Sequence, residues 1–246
     1  MRANSNTIWS IVSYELRFSG GGRERVLEVV RRPRARAMRL SVDPVDGAVR
    51  LSLPRRAALR PALAWASDKR GWIEGQLAKL PPPRPIEPGM RFLLAGEEVV
   101  LDWHAAFPRA VVRDGQVLRL GGPRELLAPR VLRFLRGEAL RLLTAETHEI
   151  AAREGIKIAH VSVGDPGGRW GSCSGDGRLR YSWRLILAPD FVRRATVAHE
   201  VAHRLHMDHS PAFHAAVRRL LGSDPTPARH WLSANGTALH WFGSSG

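Results

Sequence analysis

A single cysteine, Cys173, in 246 residues leaves no internal disulfide to be made. A disulfide-stapled secreted scaffold is therefore excluded, and an oxidising compartment gains no support. No run of 18 apolar residues occurs. Ile8 to Val12 is too short and badly flanked for a span or a secretory leader, so no membrane segment is expected and the cytoplasm is the expected compartment. Acidic side chains are scarce as well: 23 Asp and Glu face 38 Lys and Arg, a formal charge of +15 carried almost wholly by arginine. That balance suits an acidic partner such as nucleic acid, nucleotide phosphates or an acidic peptide. No RNA-binding signature or DNA-reading motif accompanies it, and the plainer reading is arginine-rich coding on solvated faces. The hydrophobic content of 44% supplies a core, and the length suits one large domain or two small ones.

What is present centres on His199-Glu200-Val201-Ala202-His203. On a helix, two imidazoles four residues apart lie on one face, one turn from each other, where both can hold one Zn²⁺. Glu200 falls between them, placed to act as general base toward a water activated by the metal. Asp190 to Leu205 reads as the helix, with Pro189 and Asp190 at its start. Ser210 then reads as an N-cap and Pro211 as the first residue of a second helix, with Phe213, Val217 and Leu220 on its buried face and Gly222 just past its end.

Catalytic zinc takes three protein ligands and keeps one open position. His209, at the corner between the two helices, is the preferred third ligand. His206, near the fraying helix end, and His214, on the second helix, are the alternatives. Asp208 is a candidate to hold a ligand imidazole by its other nitrogen.

Arg169-Trp170-Gly171-Ser172-Cys173-Ser174, Trp183-Arg184-Leu185-Ile186-Leu187-Ala188-Pro189, the HExxH segment and His209-Ser210-Pro211-Ala212-Phe213 occur in this order. In these four motifs the chain resembles the YgjP-like zinc metallopeptidase domain, related to SprT-like and WLM proteins. The resemblance implies a small gluzincin-like core in which a helix, a β-hairpin and the HExxH helix surround one Zn²⁺ per chain. It also implies His199, His203 and His209 as ligands and Glu200 as the base. Two places depart from the pattern: Gly164-Asp165-Pro166-Gly167-Gly168 replaces a basic or polar run, and His214 stands where Trp is usual.

The rest of the chain reads as α+β, with a β-rich N-terminal half carrying one helix, followed by the zincin-like core. Residues 1–22 are expected to be a weakly ordered lead. Strands are expected over Glu24 to Arg31, Ala35 to Val42 and Ala48 to Leu53, with a hairpin turn at Asp46-Gly47. An amphipathic helix runs from Leu59 to Leu80, with Trp65 and Trp72 in its core, and the proline run after it acts as a stiff link. Arg31, Arg32, Arg34, Arg36 and Arg39 form the densest positive run, either a wet strand face or a phosphate-binding surface.

Further strands and a hairpin signal at Asp114-Gly115 complete a β-rich region over 23–125. The metallopeptidase core occupies 126–222, with a long helix from Pro129 to Glu154, a strand near Ile156 to Val163, and a hairpin whose second strand runs from Arg178 to Leu187. His148-Glu149 within the long helix lacks a second histidine and is a decoy. Residues 223–246 form a tail. Cys173 is a packing residue of the hairpin, not a nucleophile.

The expected activity is zinc-dependent hydrolysis of peptide bonds in a peptide or protein substrate. Arg169, Tyr181 and Arg184 are the candidates to stabilise the oxyanion or contact the substrate. Two alternatives keep the same motifs: hydrolysis of a nucleotide phosphoanhydride, which the arginine surplus would suit, and a nucleic-acid-associated binding protein or protease.

Overall fold

The computed structural model describes residues 11–244. The chain divides into two compact units, the first ending at Pro82 and the second starting at Pro83.

In the first unit, β1 (Ile11–Gly20), β2 (Arg23–Arg32), β3 (Arg39–Val42) and β4 (Val49–Pro54) form a sheet in the order β1-β2-β4-β3. Strand β2 runs parallel to β4, and the other pairs are antiparallel. Alternation sets the faces: Val49, Leu51 and Leu53 are buried, while Arg50 and Ser52 point away. Pairing with β2 makes residues 11–20 an ordered strand rather than part of a loose lead. The remainder of that lead, residues 1–10, lies outside the described residues.

Helices α1 (Leu59–Asp68) and α2 (Arg70–Ala78) bury Ala62, Ala66, Ile73 and Leu77. The expected continuous helix is broken at Lys69, where φ is −88° and ψ is 11°. The two tryptophans are not both core residues. Trp65 is half-buried, and Trp72 is 47% exposed because Ile73 and Leu77 take the inward stripe of α2 and leave its neighbour about 100° round the helix.

In the second unit, β5 (Arg91–Leu94), β6 (Glu97–Trp103), β7 (Val112–Asp114) and β8 (Val117–Leu120) form a sheet in the order β5-β6-β8-β7. The 26-residue helix α3 (Leu127–Ala152) follows, then β9 (His160–Gly164), β10 (Gly171–Cys173) and β11 (Arg178–Ser182) in the order β10-β11-β9. Helices α4 (Asp190–Ala202), α5 (Pro211–Leu221) and α6 (Thr226–His240) complete the unit.

One apolar core runs from Phe92, Leu101 and Leu118 through Leu135 and Leu143 to Trp183, Val197 and Phe213. The β5–β8 sheet thus shares its core with the helices, and the expected boundary near residue 125 falls inside a single unit. The expected tail also differs, since α6 buries Ala228, Gly236 and Leu239 in this unit. The mixed architecture is α+β, as expected.

The strand expected from Arg178 to Leu187 ends at Ser182 and continues as a 3₁₀ turn over Trp183–Leu187. Because Trp183, Leu185, Ile186 and Leu187 are all buried, the segment has no wet face to enforce a two-residue repeat. Arg193 pins α4 to α3 through a buried two-pronged pair with Glu146, at 3.0 and 2.9 Å.

Candidate metal centre

Helix α4 ends at Ala202, and His203 follows in an α conformation. The chain then turns tightly, with the Arg204 amide bonded to the Val201 carbonyl and the His206 amide to the Ala202 carbonyl. At the next helix start, Ser210 Oγ accepts from the Phe213 amide at 3.4 Å, Pro211 opens α5, and Gly222 closes it at φ 78°. This helix, corner and helix bring His199, His203 and His209 together, with one ring nitrogen of each inside a 4.8 Å cluster. His206 and His214 stay outside it. His214 is exposed on α5, with its ring centroid 6.5 Å from that of His209.

The donor set fits a zinc ion. Nε2 of His199 and Nε2 of His209 lie 3.4 Å apart. Two ligands at about 2.05 Å from a tetrahedral ion would be separated by about 3.3 Å. His203 Nδ1 meets the His206 carbonyl oxygen at 3.1 Å, so the ring donates there and leaves its Nε2 lone pair free. Burial, reinforced by the neighbouring His203, pulls the His199 pKa down to about 4, which keeps that ring neutral and able to ligate. Phe213 floors the cluster, with ring centroids 4.9, 4.5 and 4.8 Å from His199, His203 and His209.

Glu200 is 5% exposed, and burial lifts its pKa to about 7 against the opposing pull of Arg169. The reason for Gly171 lies here. A Cβ at that position would sit 2.5 Å from Glu200 Oε1 and 2.6 Å from its Cγ, so β10 passes directly over this carboxyl group. Arg204, just past the histidines, donates to the Gly175 carbonyl at 2.8 Å and ties the β10–β11 turn to the exit of α4.

A cleft of about 450 Å³ opens beside His199, Glu200 and His209. Trp170 and Gly171 form one wall, His214 and Val217 of α5 another, and Ala228, Arg229 and Leu232 of α6 a third. Trp170 stacks against His240 at 5.1 Å between centroids and presses on Gly236. The contribution of α6 is therefore a wall that the sequence reading left in a tail.

Of the three candidate substrate contacts, only Arg169 lines this cleft. Tyr181 has no exposed surface, and its hydroxyl lies 3.1 Å from Thr147 Oγ1. Arg184 is committed elsewhere, donating to both carboxylate oxygens of Asp165 and to the carbonyls of Leu239 and Phe242. The segment before Arg169 that departs from the family pattern is held by that same Asp165.

Among the described residues Asp208 makes no hydrogen bond to the rings of His199, His203 or His209. Its Oδ1 accepts from the Ser210 amide at 3.3 Å, and the His206 carbonyl does the orienting instead. Burial pushes the Cys173 thiol up, as suits a packing residue. Glu149, of the decoy pair, is bound by Arg194 and Arg153. Among the described residues no helix is long and apolar enough to cross a membrane.

No curated protein and no solved structure matches the chain. The YgjP-like metallopeptidase domain does match, over residues 36–235, and with a match across most of its length the chain belongs to the YgjP-like metallopeptidase family.

Proposed function

We propose that the chain is a zinc peptidase in which His199, His203 and His209 hold one Zn²⁺ and Glu200 is the general base. The observation that carries this reading is the convergence of three ring nitrogens within 4.8 Å beside a buried carboxyl group, at the wall of an open cleft. When bound, zinc would lower the pKa of a water toward 7 and polarise the scissile carbonyl. Glu200 takes the proton from the attacking water and returns it to the leaving amine. Its near-neutral pKa suits both halves of that exchange.

Strand β10 lies at the edge of its sheet and over Glu200, so an extended peptide pairing with it would run across the cleft. Arg169 is the side chain placed to steady the oxyanion or a substrate carbonyl. Arg229, on the opposite wall, donates to Thr226 Oγ1 at 3.3 Å and forms no ion pair within 4 Å among the described residues. This pair of cations supports a second reading, an anionic group such as a nucleotide phosphate in the cleft.

The test is elemental analysis and turnover on three proteins. Wild type should carry about one zinc, His209→Ala should lose or greatly weaken it, and Glu200→Gln should keep the metal while peptide turnover falls by orders of magnitude. Phosphate release from a nucleotide panel, abolished by Glu200→Gln while peptides stay intact, would replace the peptidase reading with the second one. Wild type without zinc would remove both.

A further inference from the structure

An arginine cluster in the first unit sits where β2 and β4 end side by side. These strands are parallel and in register, with Arg31 opposite Leu53 and Arg32 opposite Pro54. Arg31 Nη1 donates to the carbonyls of Pro54, Arg55 and Ala57 at 3.3, 2.9 and 3.0 Å, which clamps the loop after β4 against the end of β2. The segment leading into β3 carries Arg34, Arg36 and Arg39, and the segment leading through the start of α1 carries Arg55, Arg56 and Arg60. All six are exposed.

Their surroundings separate them from arginines spread evenly over a wet surface. No Asp or Glu occurs between Glu28 and Asp43, or between Asp46 and Asp68. Arg50 on the same sheet is held by Glu28, Asp43 and Asp46 together, and Arg17 and Arg70 each have a glutamate. None of the six takes part in an ion pair among the described residues. Five of the seven acids of this unit are thus held by Arg17, Arg50 and Arg70, only Glu15 and Asp68 stand outside those pairs, and a net positive field remains at one end of the sheet.

A second feature lies across the edge strand β3 from it. Leu40, which pairs with buried Leu51 while Arg39 pairs with Ser52 on the other face, joins Trp65, Lys69 and Trp72 in lining a groove of about 330 Å³. That is at the low end of the volumes, roughly 300–1,000 Å³, of pockets that take small molecules. Trp72 is 47% exposed, and Lys69, at the break between α1 and α2, lines the same groove as the two tryptophans.

We propose that this edge of the sheet binds single-stranded nucleic acid, with backbone phosphates on the arginines and an unstacked base against Trp72. Charge chooses a polyanion, and the indole groove chooses which one. A duplex keeps its base faces stacked inside, whereas a single strand offers a planar face to an aromatic side chain. An acidic peptide would satisfy the arginines and leave the indole groove without a planar partner. The inference stands independently of the metal centre.

Fluorescence anisotropy of the full chain with labelled 15-mer oligo(dT) and oligo(U) tests it. Binding should weaken steeply with salt. The Arg36→Glu/Arg39→Glu double variant should lose at least tenfold in affinity, and its salt slope should fall by about 1.4, two phosphate contacts at roughly 0.7 each. Trp72→Ala should weaken binding about 5- to 150-fold, the worth of one stacked base, and Trp72→Phe should restore most of it. Both sites are exposed, and matching thermal melts establish that the variants are folded. No binding at low salt, tighter binding to a duplex, equal competition by polyglutamate, or an unchanged affinity in Trp72→Ala would each overturn the proposal.

Discussion

Replacing Gly171 by alanine isolates the positioning of Glu200 from the holding of the metal. The added methyl carbon would lie 2.5, 2.6 and 2.7 Å from Oε1, Cγ and Cδ of Glu200. Ordinary contact begins near 3.4 Å, so the strand or the carboxyl group must give by 3.4 − 2.5, about 0.9 Å. Glu200 is 5% exposed, and its helix is anchored by the Arg193–Glu146 pair, so the side chain yields first. Misplacing a catalytic group by about 1 Å costs on the order of 10²-fold in turnover. Overpacking should cost about 1–3 kcal/mol of stability. The three imidazoles are anchored separately, by the α4 corner and by Phe213, so zinc content should remain at the wild-type level. Turnover of a quenched-fluorescent peptide pool, read beside zinc content and a urea midpoint, separates the effects. Wild-type turnover would refute the argument that β10 fixes Glu200. Lost zinc would show that the strand supports the histidines instead.

Glu146→Gln leaves Arg193, 3% exposed, with only Asp190 as a full charge partner, and should cost about 3 kcal/mol in urea unfolding. Changing both residues to leucine should recover most of that loss, and a single-variant cost under about 1 kcal/mol would show the pair to be dispensable. Glu149 supplies a pH test. The Arg194 hydrogen bond, against some burial and with help from Arg153, holds its pKa at about 2, below the ordinary 4.5. Its folded-state pKa is the lower one, so its stabilisation is complete above about pH 4.5 and lost as pH falls toward 2. With that carboxylate half exposed, screening limits the effect to about 1 kcal/mol or less. The stability gap between wild type and Glu149→Gln should therefore shrink between pH 6 and pH 3, and a constant gap would contradict the assigned cause.

The parts of the candidate centre that were legible are those carried by short stretches of chain. His199, Glu200 and His203 share one helical turn, and Ser210, Pro211 and Gly222 mark the corner and helix that return His209 to them. Local rules of helix spacing and capping suffice for that. What stayed hidden depends on packing between segments far apart in sequence. Arg184 looked available until Asp165 and two carbonyls near the chain's end were seen to hold it. Trp72 looked like core for its size and apolar ring, but Ile73 and Leu77 take the inward stripe of α2 and leave it outside. The β5–β8 sheet reads as a neighbour of the first sheet because strand patterns do not say which core they cover.

Two glycines make the distinction sharpest. Gly171 sits in a hairpin, where glycine is commonly read as a turn residue, yet its place is set by the space Glu200 needs. Gly236 lies inside α6, where glycine costs about 1 kcal/mol relative to alanine. A Cβ there would come within 2.9 Å of the Trp170 ring, so that cost is offset by letting α6 close against the wall of the cleft. A glycine in a helix interior, in a stretch otherwise read as a tail, was with Trp231, Leu239 and Trp241 a mark in the sequence that this helix had something to pack against.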